Sequence, residues 1–113
     1  MAQVQDFYPL SPLQEGMLFQ TLYAPRSGVY VTHLNCVLSG LNVGAFERAW
    51  QQVINRHAVL RSFFAWKDLK KPVQVVPRHA NVPLELDDWR DLSESEQAEQ
   101  LRIYLHEDRA RGF

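Results

Sequence analysis

The spacing of apolar residues alternates along this chain between the period of a helix and the period of a strand. Ser11, Pro12 and Gln14 form a capping-box arrangement, which predicts a helix from about Ser11 to Tyr23. Residues 30–38, YVTHLNCVL, then alternate, so that every second side chain falls on one strongly apolar face of a predicted strand. This succession of patterns limits the fold more than any single motif does.

A second helical pattern follows, with Asn42 placed to cap it. Its apolar residues recur at spacings of three and four and predict a buried helical stripe. They are Val43, Phe46, Trp50 and Val53, continued by His57. Downstream, residues 61–66 (RSFFAW) and 72–76 (PVQVV) flank a polar turn and predict a β-hairpin.

The last third of the sequence predicts one more strand and one more helix. Residues 82–89, VPLELDDW, suit a short strand. Ser93 and Glu96 form a second capping box, which starts a helix that continues until Gly112. The order helix, strand, helix, strand, strand, helix indicates an α/β fold with helices packed on a mixed sheet. With 113 residues and no repeats or linkers, the chain is one domain or part of one.

Composition excludes several classes of function. Hydrophobic residues make up 46% of the chain and charged residues 22%, which indicates a folded protein rather than a disordered one. A net charge of −1, with both signs interspersed, argues against nucleic acid as a partner. The single cysteine, Cys36, excludes an internal disulfide and agrees with a reducing compartment. Because no segment resembles a signal peptide or a membrane span, we expect a cytoplasmic protein.

Local motifs for catalysis and for metal binding are absent from the sequence. The patterns GxSxG, GxGxxG and GxxxxGK[ST] do not occur, and they would have indicated a nucleophile elbow, a dinucleotide site or a P-loop. The four histidines are isolated from one another and form no metal-ligand pair. The acidic residues around Trp89 favour a solvated turn over a pair of catalytic carboxylates. They are Glu85, Asp87, Asp88 and Asp91.

One segment is unusual: RHAVLRSFF, residues 56–64, places two arginines and a histidine among apolar residues. The last turn of a helix explains Arg56 and His57, because cations there meet unsatisfied carbonyls and the negative end of the helix dipole. That interpretation does not explain Arg61. Either Arg61 points to solvent at the start of the strand, or it points inward and its buried charge requires a partner.

RHAVLRSFF and a second segment, YPLSPLQEGMLFQTL, together resemble the condensation domains of nonribosomal peptide synthetases. The first segment is similar to the family motif RHxxLRTxF, with Ser62 in the usual place of Thr, which keeps the hydroxyl group. The matching residues are Arg56, His57, Leu60, Arg61 and Phe64. The second segment resembles the opening motif of the family at Ser11, Gln14 and Met17. The later segments DDWRDLS and DRARGF also resemble this family in the expected order.

The resemblance implies a chloramphenicol-acetyltransferase-like fold, in which two α/β lobes enclose a tunnel. It also implies peptide-bond formation, in which the amine of an aminoacyl group on one carrier protein attacks the thioester of a peptidyl group on another. Phosphopantetheine arms on the carriers bring both substrates, so the resemblance implies no cofactor bound by the domain itself. The implied partners are peptidyl and aminoacyl carrier proteins and the adjacent synthetase domains. The implied products are antibiotics and other secondary metabolites.

The active-site motif of this family, HHxxxDG, does not occur in the chain. The resemblance therefore implies that residues 1–113 are the N-terminal part of a condensation domain and carry no catalytic residue. It assigns Arg61, together with Arg56 and His57, to structural support of the active site, with Arg61 paired to the Asp of HHxxxDG. Without that partner, we expect Arg61 to be hydrated, disordered or bound by another carboxylate.

Three functional hypotheses follow. The chain is an inactive piece of an amide-forming enzyme, part of another acyltransferase or epimerase of the same superfold, or a non-catalytic interaction module. Under the first hypothesis, strands that follow Phe113 complete the sheet of the lobe. Residues 1–113 alone would then have an open sheet edge and an uncovered apolar face. We then expect self-association, unless the helix from Ser93 to Arg111 folds back over that face.

Overall fold

A computed structural model of the protein describes residues 3–113. Its regular elements are β1 (Val4–Pro9), α1 (Pro12–Tyr23), α2 (Val43–Arg56), a 3-10 helix (Ala58–Arg61), β2 (Phe63–Ala65), β3 (Val73–Pro77) and α3 (Glu94–Arg111). The chain divides into two compact units. The first unit holds the described residues up to Pro12 together with Val37–Leu84, and the second holds Leu13–Cys36 together with Glu85–Phe113. The sheet and α2 therefore lie in the first unit, and α3 lies in the second.

Side-chain caps determine where the two longer helices begin. Asn42 accepts a hydrogen bond from the Ala45 N–H at 2.9 Å and starts α2. Ser93 accepts one from the Glu96 N–H at 3.2 Å and starts α3, as a capping box predicts. At the other end, α3 is followed by Gly112, whose φ of 67° suits glycine best. The predicted positions of the helices are confirmed.

The sheet has the strand order β1-β3-β2, and both strand pairs are antiparallel. β2 and β3 form the hairpin that their apolar runs predict. The α/β class is also confirmed, but the sheet of the described residues is antiparallel rather than mixed. β1 escapes prediction because a bulge near Gln5 interrupts its alternation. Val4 and Phe7 consequently lie on one face of the sheet although three positions separate them.

Two predicted strands are wrong. Residues 30–38 and residues 82–89 form no strand in the described structure. In the first segment the Val31 N–H turns back to the Gly28 carbonyl at 3.0 Å, and in the second the Leu84 N–H turns back to the Val82 carbonyl at 3.0 Å. A strand needs a neighbour that takes its backbone hydrogen bonds. The alternation of apolar and polar residues indicates only which face of a segment is apolar. It does not indicate whether a neighbouring strand exists.

Few apolar side chains are buried within the described residues. The buried hydrophobic residues are Leu10, Leu18, Ile54 and Val76. The predicted buried stripe of α2 is therefore wrong for most of its members, because Val43, Trp50 and Val53 are exposed. One face of the sheet is likewise open: Phe7 and Phe63 flank Val75 across the three strands and are 67% and 54% exposed.

These open surfaces lead us to expect that the 113-residue chain self-associates. The outer edges of β1 and β2 have no strand partner among the described residues, and unpaired edges recruit strands from other chains. Exposed apolar patches beyond the order of a few hundred Å² are also rare in soluble monomers. Sedimentation velocity over a range of concentrations should show species larger than a monomer.

A matched pair of variants tests where the association occurs. Phe63→Lys adds a charge to the open face of the sheet and should weaken association, whereas Leu13→Lys, at an exposed apolar site on α1, should not. A single monomeric species of the unmodified chain at every concentration would contradict the expectation.

Candidate functional site

Arg61 ends the 3-10 helix and is buried, with 8% of its surface exposed. Its Nε donates a hydrogen bond to the Pro77 carbonyl at 3.0 Å. Its Nη1 donates to the carbonyls of Ile54 and Asn55, each at 2.9 Å. Its Nη2 donates to Gln5 Oε1 at 2.8 Å. One side chain thus joins β1, the end of α2 and the end of β3, and we refer to these five residues as the Arg61 cluster.

The way in which α2 ends creates two of the acceptors in this cluster. His57 has an extended backbone, with φ of −110° and ψ of 100°, so α2 ends at Arg56. In an uninterrupted helix the carbonyls of Ile54 and Asn55 would accept from amides four positions later. The chain turns away instead, and the guanidinium of Arg61 takes the place of those amides. Arg61 therefore caps α2 and puts a positive charge at the negative end of its dipole.

The bulge in β1 brings Gln5 to the cluster. Val4 pairs with Pro77 and Asp6 pairs with Val76, so Gln5 is the extra residue between two neighbouring pairs. A bulge of this kind redirects the side chain of the extra residue. The redirected amide of Gln5 accepts the hydrogen bond from Arg61.

The hydroxyl of Ser62 connects the cluster segment to the central strand. Ser62 Oγ donates to the Val59 carbonyl at 2.7 Å and accepts from Gln74 Nε2 at 3.0 Å. Gln74 is a buried polar residue in β3, where an amide without partners would destabilise the fold. The hydroxyl group, which serine and threonine have in common, therefore forms two hydrogen bonds at this position.

Each acceptor that the structure gives to Arg61 is electrically neutral: three are backbone carbonyls and one is a side-chain amide. The inward orientation is therefore correct and the solvent-facing alternative is wrong. The expectation that Arg61 is disordered or bound by a carboxylate is also wrong for the described residues, whereas its hydration stays a prediction. The physical reason is that the C-terminal end of α2 supplies two of the four acceptors together with the negative end of the helix dipole.

Arg56 and His57 are not part of the Arg61 cluster. Both are exposed, and the described structure shows no hydrogen bond or ion pair of either side chain. Arg56 lies in the last turn of α2, as the helix-end interpretation predicts. His57 acts through its backbone: its N–H donates to the Val53 carbonyl and its carbonyl accepts from the Leu60 N–H, each at 3.0 Å.

The opening motif lies at the beginning of α1. Ser11 directly precedes this helix, and Gln14 and Met17 lie in its first two turns. The Met17 carbonyl accepts a hydrogen bond from the Thr21 hydroxyl at 2.9 Å. Met17 is half-buried, and Leu18 is the buried residue of α1. Met17 and Leu18 therefore lie on the packed side of the helix, whereas Leu13 and Phe19 of the same segment are exposed.

The second unit contains a polar contact that the sequence analysis missed. His33 Nε2 and Asp108 Oδ2 are 2.8 Å apart, and both side chains are partly buried. Asp108 also pairs with Arg111, and Arg109 Nη1 donates to the Val31 carbonyl at 3.2 Å. These contacts fasten the irregular segment around His33 to α3. No spacing rule could predict the contact between His33 and Asp108, because these residues are 75 positions apart.

Two kinds of feature are absent from residues 3–113. These residues contain no group of three or more histidine, cysteine, aspartate or glutamate side chains that could hold a metal ion. They also contain no helix that is both long enough and apolar enough to cross a membrane.

Comparison with known proteins explains the unusual segment. The family model described as Condensation domain matches residues 4–113. The chain belongs to the condensation domain family. The Arg61 cluster is therefore a feature of a condensation-domain sequence, and RHAVLRSFF and the opening motif both lie within the matched residues.

Several bacterial synthases contain sequences similar to this condensation-domain chain. It is 48% identical over 110 residues to one component of the linear gramicidin synthase of Brevibacillus parabrevis and 46% identical over 111 residues to another component of the same synthase. It is 37% identical over 112 residues to surfactin synthase subunit 3 from Bacillus subtilis strain 168. These alignments cover 97% or 98% of the chain but only 2%, 2% and 9% of the respective relatives.

The Arg61 cluster predicts a large effect of Arg61→Ala in the complete condensation domain. The substitution leaves partly buried carbonyls at the end of α2 without a donor and removes the cap of that helix. We expect a loss of about 3 to 5 kcal/mol in the free energy of unfolding, measured by denaturant titration, and a lower soluble yield. Arg78→Ala, at an exposed arginine, is the matched control and should change stability by less than about 0.5 kcal/mol. Equal stability of both variants would contradict the assignment.

The contact between His33 and Asp108 predicts a perturbed titration. The hydrogen bond with His33, helped by Arg111, holds the pKa of Asp108 below its ordinary value of 3.8. A lowered pKa means that the contact stabilises the fold above the ordinary value and that this contribution is lost as the pH falls through the folded-state pKa. Carbon-13 NMR titration of the carboxyl group measures this directly.

Two histidine variants test whether His33 causes the lowered pKa of Asp108. His33→Ala should raise the pKa of Asp108 towards 3.8, whereas His79→Ala, at an exposed histidine in the first unit, should leave it unchanged. An equal pKa of Asp108 in all three proteins would show that His33 is not the cause.

Proposed function

We propose that residues 1–113 are the N-terminal part of a condensation domain with the chloramphenicol-acetyltransferase-like fold. In this proposal the complete protein is a nonribosomal peptide synthetase that joins carrier-bound peptidyl and aminoacyl groups. Membership of the family supports the proposal, as do relatives whose names describe synthases of linear gramicidin and surfactin. The chain spans only a small part of each relative's length, so substrates and products belong to the proposal.

The observation that carries the proposal is the state of Arg61. The side chain is buried, its positive charge faces four neutral acceptors, and no ion pair involves it among the described residues. A buried cation is most stable when an anion compensates it. The Asp of an HHxxxDG motif elsewhere in the complete domain would supply that anion. Arg61 would then hold the active-site loop in shape without touching the reacting groups.

The proposed reaction is the transfer of a peptidyl group from sulfur to nitrogen. The amine of the acceptor attacks the carbonyl carbon of the donor thioester, a carbon–nitrogen bond forms, and the carbon–sulfur bond breaks. The donor's phosphopantetheine leaves as a thiol after the amine has lost a proton. The second His of HHxxxDG would orient the amine or accept its proton, and this chain would contribute support for that group.

The partners in this proposal are the two carrier proteins and the neighbouring synthetase domains, and the site of action is the cytoplasm. The carriers bring their own phosphopantetheine, so the domain itself would bind no cofactor. In the proposed architecture, Arg56 and His57 support the active site from the surface of the first unit, and Ser11, Gln14 and Met17 begin the lobe.

Two polypeptides compared in one assay test the proposal. Carrier proteins loaded with an aminoacyl donor and an aminoacyl acceptor are mixed with either the 113-residue chain or the complete parent domain, and the dipeptide is followed by mass spectrometry. We expect turnover with the complete domain and only the buffer rate with the chain alone, since the chain lacks the histidine motif.

Each alternative gives a different result. Turnover by the 113-residue chain would refute the assignment of the chemistry to an HHxxxDG motif outside this chain. A complete domain that forms no dipeptide but transfers acyl groups to another acceptor, or epimerises a bound residue, would favour a different enzyme of the superfold. A complete protein without HHxxxDG and without activity would favour an interaction module.

A further inference from the structure

The Arg61 cluster uses four of the five N–H groups of a guanidinium. Nε and Nη1 supply three of them to backbone carbonyls, and Nη2 supplies one to Gln5. Among residues 3–113, the second N–H of Nη2 has no acceptor. The cluster therefore fixes the plane of the guanidinium without neutralising its charge.

Gln5 differs in kind from the other three acceptors. Ile54, Asn55 and Pro77 contribute backbone carbonyls, whose positions depend on the fold rather than on the side chain. Gln5 contributes the side-chain acceptor, and it acts on the nitrogen that carries the remaining N–H. A change at this position alters the environment of Nη2 and leaves the three backbone contacts in place.

We propose that Gln5 is a positioning residue for the reaction, because it holds Nη2 of Arg61 so that the remaining N–H and the positive charge serve an anionic partner. This inference rests on the proposed function, in which the partner is the Asp of HHxxxDG in the complete domain. A neutral amide suits that task. A carboxylate at position 5 would form a charge-assisted hydrogen bond with Nη2 and would compete with the anion.

Substitutions in the complete parent domain separate positioning from structural support. Gln5→Glu retains an acceptor for Nη2 but adds a competing charge. We expect it to melt at or above the wild-type temperature and yet to lower kcat about tenfold, with the KM for both loaded carriers unchanged. Gln5→Met removes the acceptor and should lower both the melting temperature and kcat.

Gln3 provides the matched controls, because it is an exposed glutamine near the start of the same strand. Its side chain makes no hydrogen bond within the described structure. Gln3→Glu and Gln3→Met should retain kcat within about twofold of wild type. These controls separate an effect at Nη2 from a general effect of charge or lost polarity near β1.

A double-mutant cycle tests whether Gln5 acts through Arg61. In an Arg61→Lys background the fork of N–H donors is already lost, so adding Gln5→Glu should lower kcat no further. Independent losses that multiply would overturn the inference.

The remaining outcomes are also distinct. An active wild-type domain with a stable and fully active Gln5→Glu variant would mean that Gln5 is structural only, and it would overturn this inference while leaving the proposed function intact. A wild-type domain that forms no dipeptide would overturn the proposed function and this inference together.

Discussion

The chain leaves α2 at His57, and the structure of the first unit depends on how that helix end is satisfied. A helix that stops exposes carbonyls which need donors, and here the donors come from the side chain of Arg61. The same guanidinium reaches the end of β3 and the bulge of β1. A single group therefore terminates a helix and joins it to the two strands whose backbones pair at Val4 and Pro77.

This arrangement requires arginine and cannot be reproduced by lysine. Three nitrogens in one plane allow Arg61 to meet acceptors on three different elements at once, whereas an ammonium group offers its donors from a single point. The acceptors stabilise the cation through dipoles, and the C-terminal end of α2 adds the negative end of a macrodipole. Because dipoles do not neutralise a charge, the cation keeps its attraction for an anion. The local structure is thus compatible with the supporting role that we propose for Arg61.

The sequence predicted helices better than strands, for a physical reason. Caps at Asn42 and Ser93 act within a few residues, so the sequence contains the whole determinant. The pairing of a strand depends on a partner elsewhere in the chain, and residues 30–38 have an apolar face without having such a partner among the described residues. β1 escaped prediction because its bulge breaks the two-residue period.

The candidate site shows the same division between local and distant determinants. Arg61 stood out in the sequence because a cation among apolar residues needs an explanation. Its acceptors did not stand out, since three are backbone carbonyls and the fourth, Gln5, is an ordinary glutamine in a strand without alternation. Asp108 was missed in a similar way, because its contact with His33 depends on the path of an irregular segment.

RHAVLRSFF is best understood as one hydrogen-bonded unit rather than as a set of separate functional groups. His57 ends the helix through its backbone, Arg61 satisfies the carbonyls that this end exposes, and the Ser62 hydroxyl continues the contacts to the buried amide of Gln74. Each step depends on the preceding one, since a helix that continued past His57 would occupy the acceptors of Arg61 and redirect the chain before Ser62. The residue types at Arg61 and Ser62 follow from that dependence. The polar groups of Arg61 and Ser62 are engaged in holding the backbone, which suits the supporting role that we propose for this segment.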